Sequence, residues 1–241
     1  MKIVFIADAH LKGLGDPNQE SLVKFLDGLS GVDKLVILGD LFDFWTGFNE
    51  VVYHHYLPVL TSLMGLRGRG TEIVYLEGNH DFSMGGFFTG TLGASVHPEH
   101  CELEVEGRSF YLAHGDTVRM SAGYRLWRGF LRSGVFRLIT RVTPPGVVWK
   151  VAGFLSGRSR KYNKRGSFID RRFEKFAEHR IAGGADCVVL GHSHVPGVHE
   201  ETTGGRRGLY ANPGSWLDSS YLVYDMGEFR VERFEGQVSS G

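Results

Sequence analysis

Five short motifs, nearly every one directly behind an apolar run, constrain this chain more than anything else in it. Asp8-Ala9-His10 follows KIVFIA (2–7), and Gly39-Asp40-Leu41-Phe42-Asp43 follows KLVIL (34–38). Gly78-Asn79-His80-Asp81 comes just after EIVYL (72–76), His114-Gly115-Asp116 closes SFYLAH, and Gly191-His192-Ser193-His194 follows DCVVL (186–190). Runs of four to six apolar residues bounded by Gly, Asp and Asn read as buried strands. Helical stretches are expected at 19–30, 50–66 and about 167–183, and alternating strands and helices predict a largely parallel sheet core. Residues 101–113 read as a hairpin with a Gly107-Arg108 turn, and 196–234 as short strands with Gly-rich turns around Asn212-Pro213-Gly214-Ser215. Open α/β sheets bind ligands at the carboxyl ends of their strands. All five motifs fall there, so the sequence predicts one shared site.

Taken singly, each motif has an ordinary explanation. An Asp after Gly at a strand end is often a turn residue or a helix N-cap, and an isolated Asp-x-His is weak evidence for a metal. The ordered combination carries the weight. Asp, Asn and several His together suit two divalent ions about 3.5–4 Å apart that share a carboxylate and a water. Asp40 is the expected bridge, because it leaves a central strand. One ion would take Asp8, His10, Asp40 and His194; the other would take Asp40, Asn79, His114 and His192. Mn²⁺ is the expected ion for this mixed oxygen and nitrogen set, with Fe²⁺, Zn²⁺, Co²⁺ or Mg²⁺ as alternatives. A water of lowered pKa between the ions would attack phosphorus in line. His80 would face the substrate and donate to the phosphoryl oxygens or the leaving group, oriented by Asp43. Asp81 is expected to cap a helix over 82–92, and Asp116 to be a turn residue or a partner behind the ligands. His54, His55, His97, His100, His179 and His199 read as surface or packing residues.

The charge pattern sets one segment apart. Among 241 residues with zero formal net charge, residues 119–172 hold fourteen Lys or Arg and one acid, Asp170, leaving thirteen bases and twenty-six acids elsewhere. A basic insert suits an anionic substrate or surface. From Tyr124 to Val142, apolar Leu126, Trp127, Phe130, Leu131, Val135, Leu138, Ile139 and Val142 interleave with Arg125, Arg128, Arg132, Arg137 and Arg141. That spacing predicts a helix with an apolar face, stopped by Pro144-Pro145-Gly146. Cys101 and Cys187 lack metal-ligand spacing and read as reduced, buried thiols. No apolar run approaches the ~18–20 residues of a membrane span, and the first run is too short for a signal peptide. A cytoplasmic location is therefore expected.

The ordered set Asp-x-His, Gly-Asp-x-x-Asp, Gly-Asn-His-Asp, His-Gly-Asp and Gly-His-Ser-His resembles the calcineurin-like metallophosphoesterase superfamily, from Asp8 to the 212–215 turn. The resemblance implies an α/β fold, a four-layer αββα sandwich. It would form a single domain over 1–241, with a helical insertion at about 119–172 acting as a lid. Within the superfamily the chain is similar to the UDP-2,3-diacylglucosamine hydrolases of lipid A biosynthesis. Shared stretches are KIVFIADAHL, LVILGDLFDFWTG, YLEGNHDF, LAHGDT and Ala122-Gly123-Tyr124. That likeness implies hydrolysis of the pyrophosphate, with water attacking the α-phosphorus to give lipid X and UMP. It also implies a lipid-linked UDP-sugar as partner, at the cytoplasmic face of the inner membrane. Tyr124, Arg128, Arg160, Asn163 and Lys164 of the insertion would meet the glucosamine phosphate and the diphosphate, while its apolar face buries acyl chains. The best-known members carry Arg where His80 stands, Glu where Asp43 stands and Asp where Ser121 stands.

Two other functions fit parts of the sequence. One is a related phosphodiesterase, nuclease or protein phosphatase that needs no apolar pocket. The other is a nucleic-acid or membrane binding module that merely retains metals. No nucleic acid is expected, because the residues between the arginines are mostly aliphatic rather than stacking aromatics.

Overall fold

The computed structural model describes residues 1–47, 51–144, 146–147 and 171–236. In chain order its strands are β1 Ile3–Ile6, β2 Lys34–Ile37, β3 Trp45–Thr46, β4 Glu72–Leu76, β5 Asp81–Phe82, β6 Ser95–His97 and β7 His100–Val105. They continue with β8 Arg108–Ala113, β9 Cys187–Leu190, β10 Gly197–Thr203, β11 Arg206–Asn212, β12 Ser220–Asp225 and β13 Glu228–Arg233. The helices are α1 Pro17–Gly28, α2 Leu57–Gly68, α3 Ala122–Leu131, α4 Gly134–Val142 and α5 Arg171–Ala182.

Two sheets stack on each other. The first is ordered β13-β12-β1-β2-β4-β6 and the second β10-β11-β9-β8-β7. The pairs β1–β2, β2–β4 and β4–β6 are parallel, as are β8–β9 and β9–β11, while β12, β13, β7 and β10 add antiparallel edges. The sheets are thus mixed, with the expected parallel part at their centres.

Alternate residues of one strand feed different cores. Ile3 and Phe5 of β1 pack between the sheets with Phe110, Leu112, Cys187 and Val189, while Val4 and Ile6 pack outward against α1 and α2. On β8 and β9, Tyr111, Ala113, Val188 and Leu190 face outward against Phe173, Ala177 and Ile181 of α5. Three apolar seams therefore separate four layers, helix, sheet, sheet and helix. That is why these strands read as continuous apolar runs rather than as alternating ones. Each large side chain in these seams contributes about 1.5–3 kcal/mol by leaving water. Both cysteines are free and buried, and burial pushes the Cys187 thiol up to about 11.

Several boundaries differ from expectation for local reasons. α2 begins at Leu57 rather than at 50, because Pro58 belongs in the first turn, where it has no N–H to lose. The hairpin turn centres on Glu106 and Gly107, both at positive φ (52° and 76°), one residue earlier than expected. No helix spans 82–92: Asp81–Phe82 pairs with Trp45–Thr46 as a short parallel ladder, and only Phe87–Thr91 forms a helical turn. The long helix expected from Tyr124 to Val142 is two helices. The chain breaks at Arg132-Ser133, where the Ser133 side chain accepts from the Phe136 N–H and starts α4. The second apolar stretch at 147–155 and the start of the 167–183 helix lie largely outside the described residues.

Candidate metal centre

Asp8 leaves β1, Asp40 leaves β2, Asn79 follows β4, His114 follows β8 and His192 follows β9. The central strands of both sheets therefore deliver one ligand motif each to the same edge of the sandwich. The backbone at these ends is bent hard. Asp8 (φ 52°), His10 (45°), Asp40 (52°), His192 (62°) and His194 (58°) all sit in the left-handed region. That region disfavours side chains with a Cβ, and such strain clusters where geometry matters for function.

The side chains converge. Within 4.8 Å of one another lie ligand atoms of Asp8, Asp40, His114 and His192, of Asp8, His10 and His194, and of His10, Asp40 and His80. Asp40 Oδ2 lies 3.5 Å from His114 Nε2 and 3.9 Å from His10 Nε2, so this carboxylate stands between the two expected halves. Asn79 Oδ1 is 3.3 Å from His114 Nε2, and His192 Nδ1 is 3.1 Å from the same nitrogen. Asp8 Oδ1 is 3.3 Å from His194 Nε2. Asp8 also reaches the His114 and His192 group, where the sequence placed it with His10, Asp40 and His194.

The donors fit divalent ions. Asp8 Oδ1 and His10 Nδ1 are buried without a hydrogen-bond partner, although buried polar atoms are nearly always paired. Two imidazole nitrogens facing each other, and carboxylates shared between histidines, are what a cation between them would satisfy. The electrostatics agree. Burial pushes the Asp40 carboxyl up, but His114, His80 and His10 outweigh burial and hold it below the usual carboxylate range. Burial opposes a proton on His114, yet Asp40 and then Asp8 raise it to about 9. Burial, reinforced by His114, drops His192 to about 4. Asp40 and His114 therefore stand as opposite charges side by side, while His192 is held neutral, the form in which an imidazole ligates a metal.

The surrounding contacts orient these groups. His114 Nδ1 lies 2.7 Å from the Leu38 carbonyl, which turns Nε2 toward the centre. Asp8 Oδ2 accepts from the His192 N–H at 2.8 Å, and Asp40 Oδ1 accepts from the His80 N–H at 2.8 Å. Gly78 is required by close approach, since a Cβ there would stand 2.1 Å from Asp40 Oδ1. His80 Nδ1 lies 3.0 Å from the backbone carbonyl of Asp43, so the contact between this expected dyad runs through the main chain. A ring nitrogen of His80 lies within 4.8 Å of ligand atoms of His10 and Asp40.

Of the expected substrate contacts, Tyr124 and Arg128 are on α3. The Tyr124 hydroxyl donates to Asp116 Oδ2 at 2.9 Å and Arg128 Nε donates to the same oxygen at 3.0 Å. Arg160, Asn163 and Lys164 lie outside the described residues. Three supporting groups escaped sequence reasoning. The Asp81 carboxylate, instead of capping a helix, accepts from the N–H groups of Asp40, Leu41, Phe42 and Gly78 and from the Tyr75 hydroxyl. Burial and then the Asp40 charge push its carboxyl up to about 7, with those hydrogen bonds opposing. Asn212 donates to the Gly191 carbonyl and to Ser193 Oγ, and Ser215 Oγ donates to the Asp8 carbonyl, so the Asn-Pro-Gly-Ser turn braces two ligand loops. The turn signal was readable, but its contacts over roughly 20 to 200 residues of sequence were not.

The pattern of calcineurin-like phosphoesterases matches residues 1–196 of this chain. The chain belongs to that family. It is thus a metallophosphoesterase, a hydrolase of phosphodiester or pyrophosphate bonds in a family that uses divalent metals. The chain is 29% identical over 238 residues to the UDP-2,3-diacylglucosamine hydrolase of Aeromonas salmonicida, covering 97% of this chain and 93% of that protein. It is 28% identical to the enzyme of the same name from Pseudomonas putida, covering 97% and 99%. Among solved structures, it is similar to zinc-bound Vps29 of Entamoeba histolytica, with a TM-score of 0.45 and 14% identity over 97% and 98% of the two chains. Among the described residues, no helix of this metallophosphoesterase is long and apolar enough to cross a membrane.

Proposed function

We propose that this metallophosphoesterase hydrolyses the pyrophosphate of UDP-2,3-diacylglucosamine to UMP and lipid X, a step of lipid A biosynthesis. The observation that carries the reading is the amphipathic pair beside the metal centre. On α3 and α4, Leu126 (76% exposed), Leu138 (63%) and Val142 (75%) are turned out among Arg125, Arg137 and Arg141. Apolar side chains among guanidinium groups next to a phosphoesterase centre match a substrate with acyl chains and phosphates, and they match contact with an anionic membrane surface. The named relatives span nearly the whole chain, the insertion included.

In this reading Asp8, His10, Asp40, Asn79, His114, His192 and His194 hold two divalent ions, Mn²⁺ foremost. When bound, the ions supply Lewis acidity and lower the pKa of a water. The chain's own groups do the rest. Asp40 shares its carboxylate between the halves. The Leu38 carbonyl fixes the His114 tautomer, and the Asp43 carbonyl holds His80 so that Nε2 faces the leaving side. From there His80 meets the phosphate oxygens or the leaving group. Tyr124 and Arg128, fastened to Asp116, form the rim against which the sugar phosphate lies. Arg160, Asn163 and Lys164, outside the described residues, are the further candidates for contact with the substrate's phosphates. Incubation of the purified protein with UDP-2,3-diacylglucosamine and Mn²⁺ tests the proposal. Metal-dependent UMP release, absent in Asp40→Ala, is expected. Good cleavage of simple nucleotide diesters without cleavage of the lipid would replace this reading with a related phosphodiesterase.

A further inference from the structure

Arg128 of α3 and Arg132, which caps its C-terminal end, contact the metal centre's supporting loops in a way that a lid over acyl chains does not require. Arg128 Nε reaches Asp116 Oδ2 at 3.0 Å, its Nη1 reaches Glu99 Oε1 at 3.3 Å and its Nη2 reaches the Pro98 carbonyl at 3.4 Å. Arg132 Nη2 reaches that same carbonyl at 3.4 Å, the Gly78 carbonyl at 3.2 Å and Glu77 Oε2 at 3.3 Å. Asp116 lies two residues past His114, and Gly78 directly precedes Asn79. The two arginines therefore join, through Pro98, the two loops that bring Asn79 Oδ1 and His114 Nε2 to 3.3 Å from each other. Those loops come from different sheets, Asn79 from behind β4 and His114 from behind β8. The strand ladders of either sheet cannot fix their mutual register.

Arg132 is an unusual residue to spend on stability alone. Its Nε and Nη1 are buried without a partner, a costly state for charged donors. Its guanidinium is held 5.9 Å from the Phe82 ring centroid, just beyond the Asn79-His80-Asp81 loop. Such placement favours geometry at a site over net stability.

We propose that Arg132, with Arg128 as its partner across Pro98, is a positioning residue for the Asn79 and His114 half of the metal centre. The insertion would then set metal geometry as well as cover substrate. The proposal rests on the two-ion reading above.

Calorimetric titration with Mn²⁺ of the wild type, Arg132→Gln, Arg132→Lys and Glu77→Gln tests it. The wild type is expected to bind two ions. Arg132→Gln should weaken one ion about 10- to 100-fold, as removal of a group that orients a ligand does, and leave the other within twofold. Arg132→Lys should recover part of the loss. Asn79→Ala should weaken the same ion, and combining it with Arg132→Gln should add less than the two losses multiplied. Both ions bound within twofold of wild type in Arg132→Gln, or equal weakening of both, would overturn the proposal. If Arg132→Gln does not fold, Arg132→Lys and Glu77→Gln decide by the same criterion. A wild type that binds fewer than two ions would refute the two-ion reading instead.

Discussion

Asp40 has no solvent to lean on: it is 1% exposed and ringed by His10, His80 and His114. Without metal, protons must supply the balancing charge, and that has a measurable consequence. His114 is raised to about 9 in the fold against about 6.5 when unfolded. The stability it contributes is fully present below pH 6.5 and is lost as pH rises through 9. His192 is depressed to about 4, so the folded state refuses a proton that the unfolded chain accepts between pH 6.5 and 4. Its share of stability is lost as pH falls through that window. Metal-stripped protein is therefore expected to be less stable at pH 9 than near pH 6.5, while on the acid side the His192 loss is opposed by Asp81, whose carboxyl, raised to about 7, favours the fold as pH falls. His114→Ala should flatten the alkaline limb, and His192→Ala should raise stability at pH 5 relative to pH 6.5. Urea denaturation of the chelated protein across pH checks both limbs, and unchanged limbs in the two variants would contradict the assignment. Asp81 gives a second prediction at this scale. Replacing it with Ala orphans the N–H groups of Asp40, Leu41, Phe42 and Gly78, each worth about 1–3 kcal/mol when buried and unpaired. Asp81→Ala should lose at least ~3 kcal/mol in urea denaturation. A loss below ~1 kcal/mol would mean that the loop does not depend on it.

Among the elements, what could be read from the sequence was whatever lies next to its own strand. Asp8, Asp40, Asn79, His114 and His192 each end or follow an apolar run, so one local pattern revealed both the strands and the ligands they carry. The groups behind them were not readable. Asp81 reaches Asp40 across 41 residues of chain, and Ser215 reaches Asp8 across 207, distances over which no periodicity extends. The break between α3 and α4 was hidden for another reason: apolar residues keep helical spacing across Arg132-Ser133, and only the Ser133 cap betrays the new start. These two helices carry the substrate proposal. Changing Leu126 and Leu138 to Gln removes apolar surface that would cover acyl chains, with each Leu worth roughly 1.5 kcal/mol or more when buried. The double variant should raise KM for the diacyl substrate about tenfold or more, with kcat and hydrolysis of a small diester unchanged. Equal effects on both substrates would detach these helices from lipid recognition.

Across the whole molecule, charge is divided rather than balanced. A segment of about +13 at residues 119–172 is set into a remainder of about −13, so zero net charge hides a strong dipole of composition. The acidic remainder includes Asp8 and Asp40, part of a cluster able to hold a cation, and α3 of the basic segment adjoins the loops around that cluster. α3 ties the two parts together, through Asp116 on one side and Glu77 on the other. In the proposed reaction this arrangement directs water to the α-phosphorus of a lipid-linked uridine diphosphate. Turnover of UDP-2,3-diacylglucosamine in ¹⁸O-water with Mn²⁺, read by mass spectrometry of both products, tests it most directly. One ¹⁸O atom in UMP, none in the lipid phosphate, and no turnover by Asp40→Ala are expected. Label in the lipid phosphate, turnover that survives Asp40→Ala, or no cleavage of this substrate would contradict it.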